Sequence, residues 1–273
     1  MLKKEIIKLR KKGFSYSEIS KKVNKSVKYV WKTAKDIRMT KEGLNRYQTI
    51  KGIVKQIKVQ GKMNVKKVRI ISHLLFDGTV YSSGNHKVAK YINSSKNLID
   101  QFIEDVREVY GINPSAFEIL EGKKLPIYKV NFSSKNIYND LLKYSPSFST
   151  GKVNSLPNEL LKNDEFKIEL LKAFFEDEGS ISLNGRIMAD LKDFGIISEL
   201  KKLAEDLGIK CKICRYSEKT GDMYKLYIPF DIENLEKIKG LRLFDKSIVT
   251  YGLNCGKSKL EVLNGVLAKL KKA

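Results

Sequence analysis

Asp77 and Glu178 each stand directly before a glycine, at the end of a mostly apolar stretch that reads as a helix. The first stretch is Ile70-Ile71-Ser72-His73-Leu74-Leu75-Phe76-Asp77-Gly78-Thr79-Val80. The second is Leu171-Lys172-Ala173-Phe174-Phe175-Glu176-Asp177-Glu178-Gly179-Ser180-Ile181. A carboxylate at the C-terminal end of a helix opposes the helix dipole, which favours cations there. Two such carboxylates in matching contexts point to something cationic between them, and a divalent metal is the natural candidate. Asp and Glu are hard oxygen ligands suited to Mg²⁺. Two metals bridged by two carboxylates can activate a water, neutralise developing charge and stabilise a leaving oxygen.

Other residue types offer less chemistry. Cys211-Lys212-Ile213-Cys214 has CxxC spacing but reads as a strand, where residues three apart point to opposite faces. A redox pair would sit at a helix start, and zinc would need two further ligands when the only histidines are His73 and His86. Both thiols therefore read as structural, and His73 as a satisfied, partly buried histidine. Three cysteines make no disulfide framework, and the expected location is cytoplasmic.

The formal net charge is +22, from 53 Lys+Arg against 31 Asp+Glu. A balance this basic points to a polyanionic partner. The apolar runs fall short of the ~20 residues of a membrane span, and Met1 to Lys12 is charged, unlike a signal peptide.

Three segments must position these groups. Residues 1–40 read as three short helices. Gly13 ends the first, Ser15 and Glu18 form a capping box for the second, and Ser26 caps the third after a turn at Asn24-Lys25. Ile19 and Val23 read as core of the second helix, and the third runs through Val27, Val30, Trp31, Ala34 and Ile37. The pattern resembles the helix-turn-helix of resolvases and small regulators. The resemblance implies a third helix in the major groove, with Lys25, Lys28, Tyr29, Lys32 and Lys35 facing DNA. Residues 41–49 are polar and read as a linker.

The remainder divides into two repeats, 50–150 and 151–273. After each acid-glycine pair the pattern predicts two strands, a helix, two strands and a helix. The predicted helices are 97–110, 135–143, 194–207 and 232–238, and the later strands of the second repeat are 210–216 and 224–228. Ile127-Tyr128-Lys129-Val130 matches Met223-Tyr224-Lys225-Leu226, and a Ser/Gly/Pro-rich stretch from Ser145 to Pro157 separates the halves. Such a repeat suggests an internal pseudo-twofold axis.

This order resembles the LAGLIDADG homing endonuclease family, from about Val65 to the C-terminus. Leu171 to Gly179 falls on the family's nonapeptide, with Asp164 as the expected N-cap of its helix. The first copy keeps Asp77-Gly78-Thr79-Val80. The resemblance implies an α+β fold of two αββαββα units forming a β-sheet saddle, beside the small all-α domain. It implies Mg²⁺ (or Mn²⁺) shared by Asp77 and Glu178 with Gly78 and Gly179 beside them, and hydrolysis of one phosphodiester on each strand of double-stranded DNA. Asn93 and Lys192 are the candidates for a polar group near the metals, and Ser72 and Ala173 for the small residues where the two central helices touch. Phe76 and Asp177 depart from the small residue usual before the acid. With both halves in one chain, the protein is expected to act as a monomer with no protein partner.

Strand alternation predicts Val80, Val88, Ile92, Ile181, Ile187 and Leu191 on the helix side. It places Thr79, Tyr81, Lys87, Tyr91, Asn93, Ser180, Ser182, Arg186, Asp190 and Lys192 on the DNA side, joined by Lys129, Asn131, Lys210, Lys212 and Lys225. Phe76, Asp177 and Asn93 keep a second reading open, a degenerate scaffold acting as a transcriptional regulator. RNA processing lacks an aromatic-rich platform for single strands.

Overall fold

The computed structural model describes residues 2–50, 62–84, 86–114, 116–119, 126–149, 155–219, 221–248 and 256–272. Part of the separator, 150–154, and the turn residue Asn85 lie outside the described residues, as does 51–61 of the expected first repeat. The chain forms two compact units, Met1–Ile57 and Lys58–Ala273.

In the first unit, α1 (Leu2–Lys11), α2 (Tyr16–Val23), α3 (Val27–Ala34) and α4 (Lys41–Ile50) follow one another. Ile6, Ile19, Val30 and Ala34 are its buried centre. The Ser15–Glu18 capping box forms, Asn24 ends α2 in the left-handed conformation, and Ser26 caps α3. Residues 41–49, expected as a linker, are instead helical. Thr40 explains this. Its hydroxyl donates to the Lys11 carbonyl (3.0 Å) and accepts from the Gly43 N–H (3.1 Å), so it ties the start of α4 to the end of α1. Gly43 packs so closely on Gly13 that a Cβ on either would lie about 2 Å from the other segment's backbone. In α3, Val30 and Ala34 are buried, while Val27 and Trp31 are exposed.

The second unit holds two copies of one plan. The first is α5 (Val65–Phe76), β1 (Gly78–Ser83), β2 (His86–Asn93), α6 (Lys96–Tyr110), β3 (Ala116–Ile119), β4 (Ile127–Ser133) and α7 (Lys135–Leu141). The second is α8 (Asp164–Asp177), β5 (Gly179–Ile181), β6 (Ile187–Leu191), α9 (Phe194–Asp206), β7 (Lys212–Glu218), β8 (Gly221–Ile228) and α10 (Ile232–Gly240). Both sheets are antiparallel with the same order, β1-β2-β4-β3 and β5-β6-β8-β7. Asn163, one residue before the expected Asp164, caps α8. A further helix, α11 (Lys259–Leu270), has no counterpart in the sequence reading.

Helices α5 and α8 pack against each other. A helix apolar on all sides belongs in a core, and α5 is buried from Ile70 to Phe76 and α8 at 170, 171 and 173 to 176. Ser72 and Ala173, the expected small contact residues, are both buried. The Phe76 and Phe174 rings meet across this junction, centroids 5.2 Å apart. Polar bonds also join the halves. Arg69 reaches Asp105 in its own half (2.8 Å) and Glu169 in the other (3.5 Å), and Asn97 donates to the Ser247 carbonyl (2.5 Å).

Candidate functional site

Asp77 and Glu178 cap α5 and α8 at corresponding ends. The Asp77 N–H donates to the His73 carbonyl (3.1 Å) and the Glu178 N–H to that of Phe174 (2.9 Å). The chain then doubles straight back into a strand. A Cβ at Gly78 would lie 2.5 Å from the Leu74 Cα, and one at Gly179 would lie 2.4 Å from the Phe175 carbonyl oxygen. Glycine after the acid is therefore a steric requirement of the turn.

The two acids share an electrostatic problem. Burial pushes the Asp77 carboxyl up to about 9, and Asp177 and Glu178 add to the rise. Burial likewise pushes Glu178 up to about 7, with Asp177 and Asp190 adding to it. Glu176 is also raised to about 7 by burial, and its Oε1 is buried with no partner among the described residues.

Asp177 has turned away from solvent into the other half. Its Oδ1 accepts from the Tyr91 hydroxyl (2.7 Å) and from Asn93 Nδ2 (3.2 Å), and its Oδ2 lies 2.8 Å from His73 Nδ1. All three partners belong to the first half. Burial works against a charged His73 ring, but Asp177, joined by Glu176 and Asp105, outweighs it and raises the pKa. Asn93 also donates to Asp77 Oδ2 (3.1 Å), while its own Oδ1 accepts from the Ser95 N–H (2.9 Å), which orients the amide.

One buried cation beside the acids escaped the sequence reading. Lys259, at the start of α11, is almost fully buried, and its ammonium donates to the carbonyls of Phe175 (2.6 Å) and Glu176 (3.0 Å). A cation on the last carbonyls of a helix is where the dipole favours one. Burial lowers its pKa to about 8, against the pull of Glu176, Asp177, Asp77 and Glu178. No local motif marks this lysine; a C-terminal helix with a Ser-x-x-Glu capping box was the available signal.

Among the described residues, no group of three His, Cys, Asp or Glu side chains is arranged to hold a metal. The donor set still fits Mg²⁺. That ion usually keeps several waters and binds through one or two carboxylates plus substrate phosphates, not in an all-protein cage. Asp77 and Glu178 supply two carboxylates that burial and the neighbouring Asp177 hold toward the protonated form, against the pull of Lys259.

The sheets divide the remaining candidates. In the second half, Ile181, Ile187 and Ala189 are buried, while Ser180, Arg186, Lys192 and Lys212 are exposed. Lys225 faces Asp190 across the ladder on the outer side, with their charged groups 3.7 Å apart. The Ser182 hydroxyl accepts from the Arg186 N–H (3.1 Å) within the β5–β6 turn. Lys210 precedes β7 and pairs with Glu233 of α10 (2.6 Å), so it is not on the sheet's outer row. Cys211 is buried and Cys214 exposed, on opposite sides as expected.

In the first half, β2 has the reverse orientation from the one expected. Ala89 and Tyr91 face the helices with Val80, Val130 and Phe132, all buried. Lys90 and Ile92, with Val88, occupy the outer row beside Tyr81, Lys129 and Asn131, and Thr79 opposes Lys90 there. Tyr91 is therefore core, Asn93 turns inward to Asp77, and Lys87 rests on Ser82 and the Tyr138 ring. β2 is apolar at both parities, so alternation could not choose; the bond from the buried Tyr91 hydroxyl to Asp177 does. A buried tyrosine needs such a partner.

Register also separates the two polar candidates. Gly78 pairs with Tyr91 and Gly179 with Ala189, so the position matching Asn93 is Leu191. Lys192 lies one residue beyond, exposed. In the first unit, Lys25, Lys28, Tyr29, Lys32 and Lys35 are all exposed, and the Lys35 ammonium lies 5.5 Å from the Trp31 ring centroid.

No protein-family model matches the sequence, and no curated protein matches it. Solved structures do. Mesophilic variants of the homing endonuclease I-DmoI superpose with a TM-score of 0.50 at 18% identity, over 65% of this chain and 94% of theirs. The homing endonuclease I-WcaI bound to its DNA recognition sequence gives 0.47 at 17% identity, over 70% of this chain and 85% of its own. Full-length DUF199/WhiA from Thermatoga maritima gives 0.48 at 12% identity, over 77% and 62%. The I-DmoI match, the shared strand order and the two helices ending in acid-glycine agree: this chain has the LAGLIDADG homing-endonuclease fold.

Proposed function

We propose that this protein is a metal-dependent endonuclease that hydrolyses one phosphodiester on each strand of a long, specific double-stranded DNA site. The observation that carries this reading is the pair Asp77 and Glu178, capping two packed helices at corresponding ends with both carboxyls raised by burial. Mg²⁺ or Mn²⁺ bound there would activate water and neutralise the charge developing on the phosphate. Asp77 and Glu178 are its ligands, and Asn93 orients Asp77. Lys259 lies near the acids as a fixed counter-charge. The outer rows of the two sheets, including Tyr81, Lys90, Lys129, Asn131, Lys212 and Lys225, take the DNA. Lys192 and Arg186 contact phosphate, a role suited to exposed cations.

Helices α2 and α3 act as a helix-turn-helix, adding affinity through effective concentration on one DNA molecule. The two halves already supply a complete pair, so the protein works as a monomer inside the cell.

The test is incubation with DNA flanking the protein's own gene, in Mg²⁺ and in EDTA. The expected result is double-strand cuts that require the metal and vanish in Asp77→Asn and Glu178→Gln while binding persists. Tight metal-independent binding with no cut under any divalent ion would instead establish a regulator on the same scaffold.

A further inference from the structure

Asp177 occupies the position that Phe76 holds in the other half, and the two residues have opposite fates. Phe76 packs on Phe174 of α8. The Asp177 side chain is fully buried and accepts from Tyr91 and Asn93, and meets His73, all of the first half. The Asn93 amide is held at three points. Its oxygen takes the Ser95 N–H, and its nitrogen reaches both Asp177 (3.2 Å) and Asp77 (3.1 Å). With the oxygen fixed, the amide cannot flip, so its nitrogen stays on the two carboxylates. The matching position in the second half is Leu191, which can make no such bond.

From this geometry we infer that Asp177 is a positioning residue: through Asn93 it sets the orientation of Asp77, so the second half of the chain controls the ligand geometry of the first. The inference rests on the nuclease reading. Groups that orient a metal ligand typically change metal affinity or activity by 10–100-fold when removed. The orienting hydrogen bond falls on Asp77 alone, because the matching position beside Glu178 is Leu191.

The atoms suggest a sharp test. Tyr91 and Asn93 both use Asp177 Oδ1, while His73 faces Oδ2. Asp177→Asn keeps Oδ1 as an acceptor and turns its amide nitrogen to the His73 ring, which accepts in one of its neutral tautomers. Asp177→Ala removes every acceptor. Both lose the charge, so any difference between them reports the hydrogen bonds.

Nicking of each strand is followed separately on end-labelled duplex. Asp177→Ala should slow one strand about 10-fold or more, Asn93→Ala should slow the same strand, and the double variant should be no slower than the worse single one. Asp177→Asn should stay within about 2-fold of the parent on both strands. Equal slowing of both strands, no slowing, or Asp177→Asn behaving as Asp177→Ala would overturn the inference. If Asp177→Ala does not fold, judged by circular dichroism, Asn93→Ala and Asp177→Asn decide it by the same criteria. A parent that cuts neither strand defeats the nuclease reading alone. Mn²⁺ titration followed by electron paramagnetic resonance then decides the positioning role. Weakening of about 10-fold in Asp177→Ala but not in Asp177→Asn supports it, and unchanged binding in Asp177→Ala refutes it.

Discussion

The Lys259 ammonium donates to the Phe175 carbonyl at 2.6 Å, so α11 supplies the cation that closes the C-terminal end of α8. Lys259→Met keeps much of the side chain's bulk but strands two buried carbonyls and leaves Glu176 without that counter-charge. Losing a buried charged donor should cost about 3 kcal/mol. Urea unfolding of the metal-free protein measures this directly. A loss below about 1 kcal/mol would mean the carbonyls find other donors.

Stability of the metal-free protein should fall as pH rises. Asp77 and Glu178 have folded pKa values of about 9 and about 7, above their ordinary 3.8 and 4.5. A carboxyl raised on folding makes the folded state bind more protons. Its contribution is complete below the ordinary value and is lost as pH climbs through the folded one. The decline should therefore span pH about 4 to about 9. Lys259 is charged in both states until pH approaches about 8; above that its lowered pKa makes the unfolded state bind more protons, so it offsets the Asp77 decline and flattens the curve at the top of this range. Added Mg²⁺ should raise the melting temperature little at pH 5 and more at pH 8. A metal increment independent of pH would remove these acids from the metal site.

Two glycines give opposite expectations. Gly179→Ala forces a methyl to 2.4 Å from a backbone oxygen and should destabilise by about 2 kcal/mol. Gly265 lies inside α11 with nothing near its missing Cβ. Gly265→Ala should stabilise by about 0.5–1 kcal/mol through helix propensity. Thermal melts of the two variants side by side check both signs.

The two faces of the sheets separate stability from binding. Tyr91→Phe removes a buried hydroxyl donor to Asp177 and should cost about 1–2 kcal/mol in stability. It should leave the dependence of log affinity on log salt unchanged. Lys129→Ala and Lys212→Ala should each reduce that slope by about 1, the mark of one lost phosphate contact. Lys28→Ala and Lys32→Ala test α3 in the same titration, and an unchanged slope there would take α3 off the DNA.

What could be read in advance was set by short-range physics. The caps at Ser15 and Ser26 and the glycines after the acids are decided within a few residues, and all formed where the pattern put them. Failures came where a distant contact decides. β2 is apolar on both faces, and its orientation follows from Asp177 in the other half. Residues 41–49 look like a linker until Thr40 and the Gly13–Gly43 contact are present. Lys259 lies far along the chain from the carbonyls it caps. Lys192 was picked by its order along the strand, and strand register puts Leu191 at the position matching Asn93, with Lys192 one residue beyond.

The difference between Phe76 and Asp177 also bears on how such a chain can change. Two copies of the first half would bring a phenylalanine to each junction and leave Asn93 with one carboxylate. Two copies of the second would bury an aspartate on each side with no His73, Tyr91 or Asn93 to receive it. The halves are therefore complementary at the junction and not interchangeable there, so an exchange of one half would keep these contacts only if it carried the matching junction residues with it.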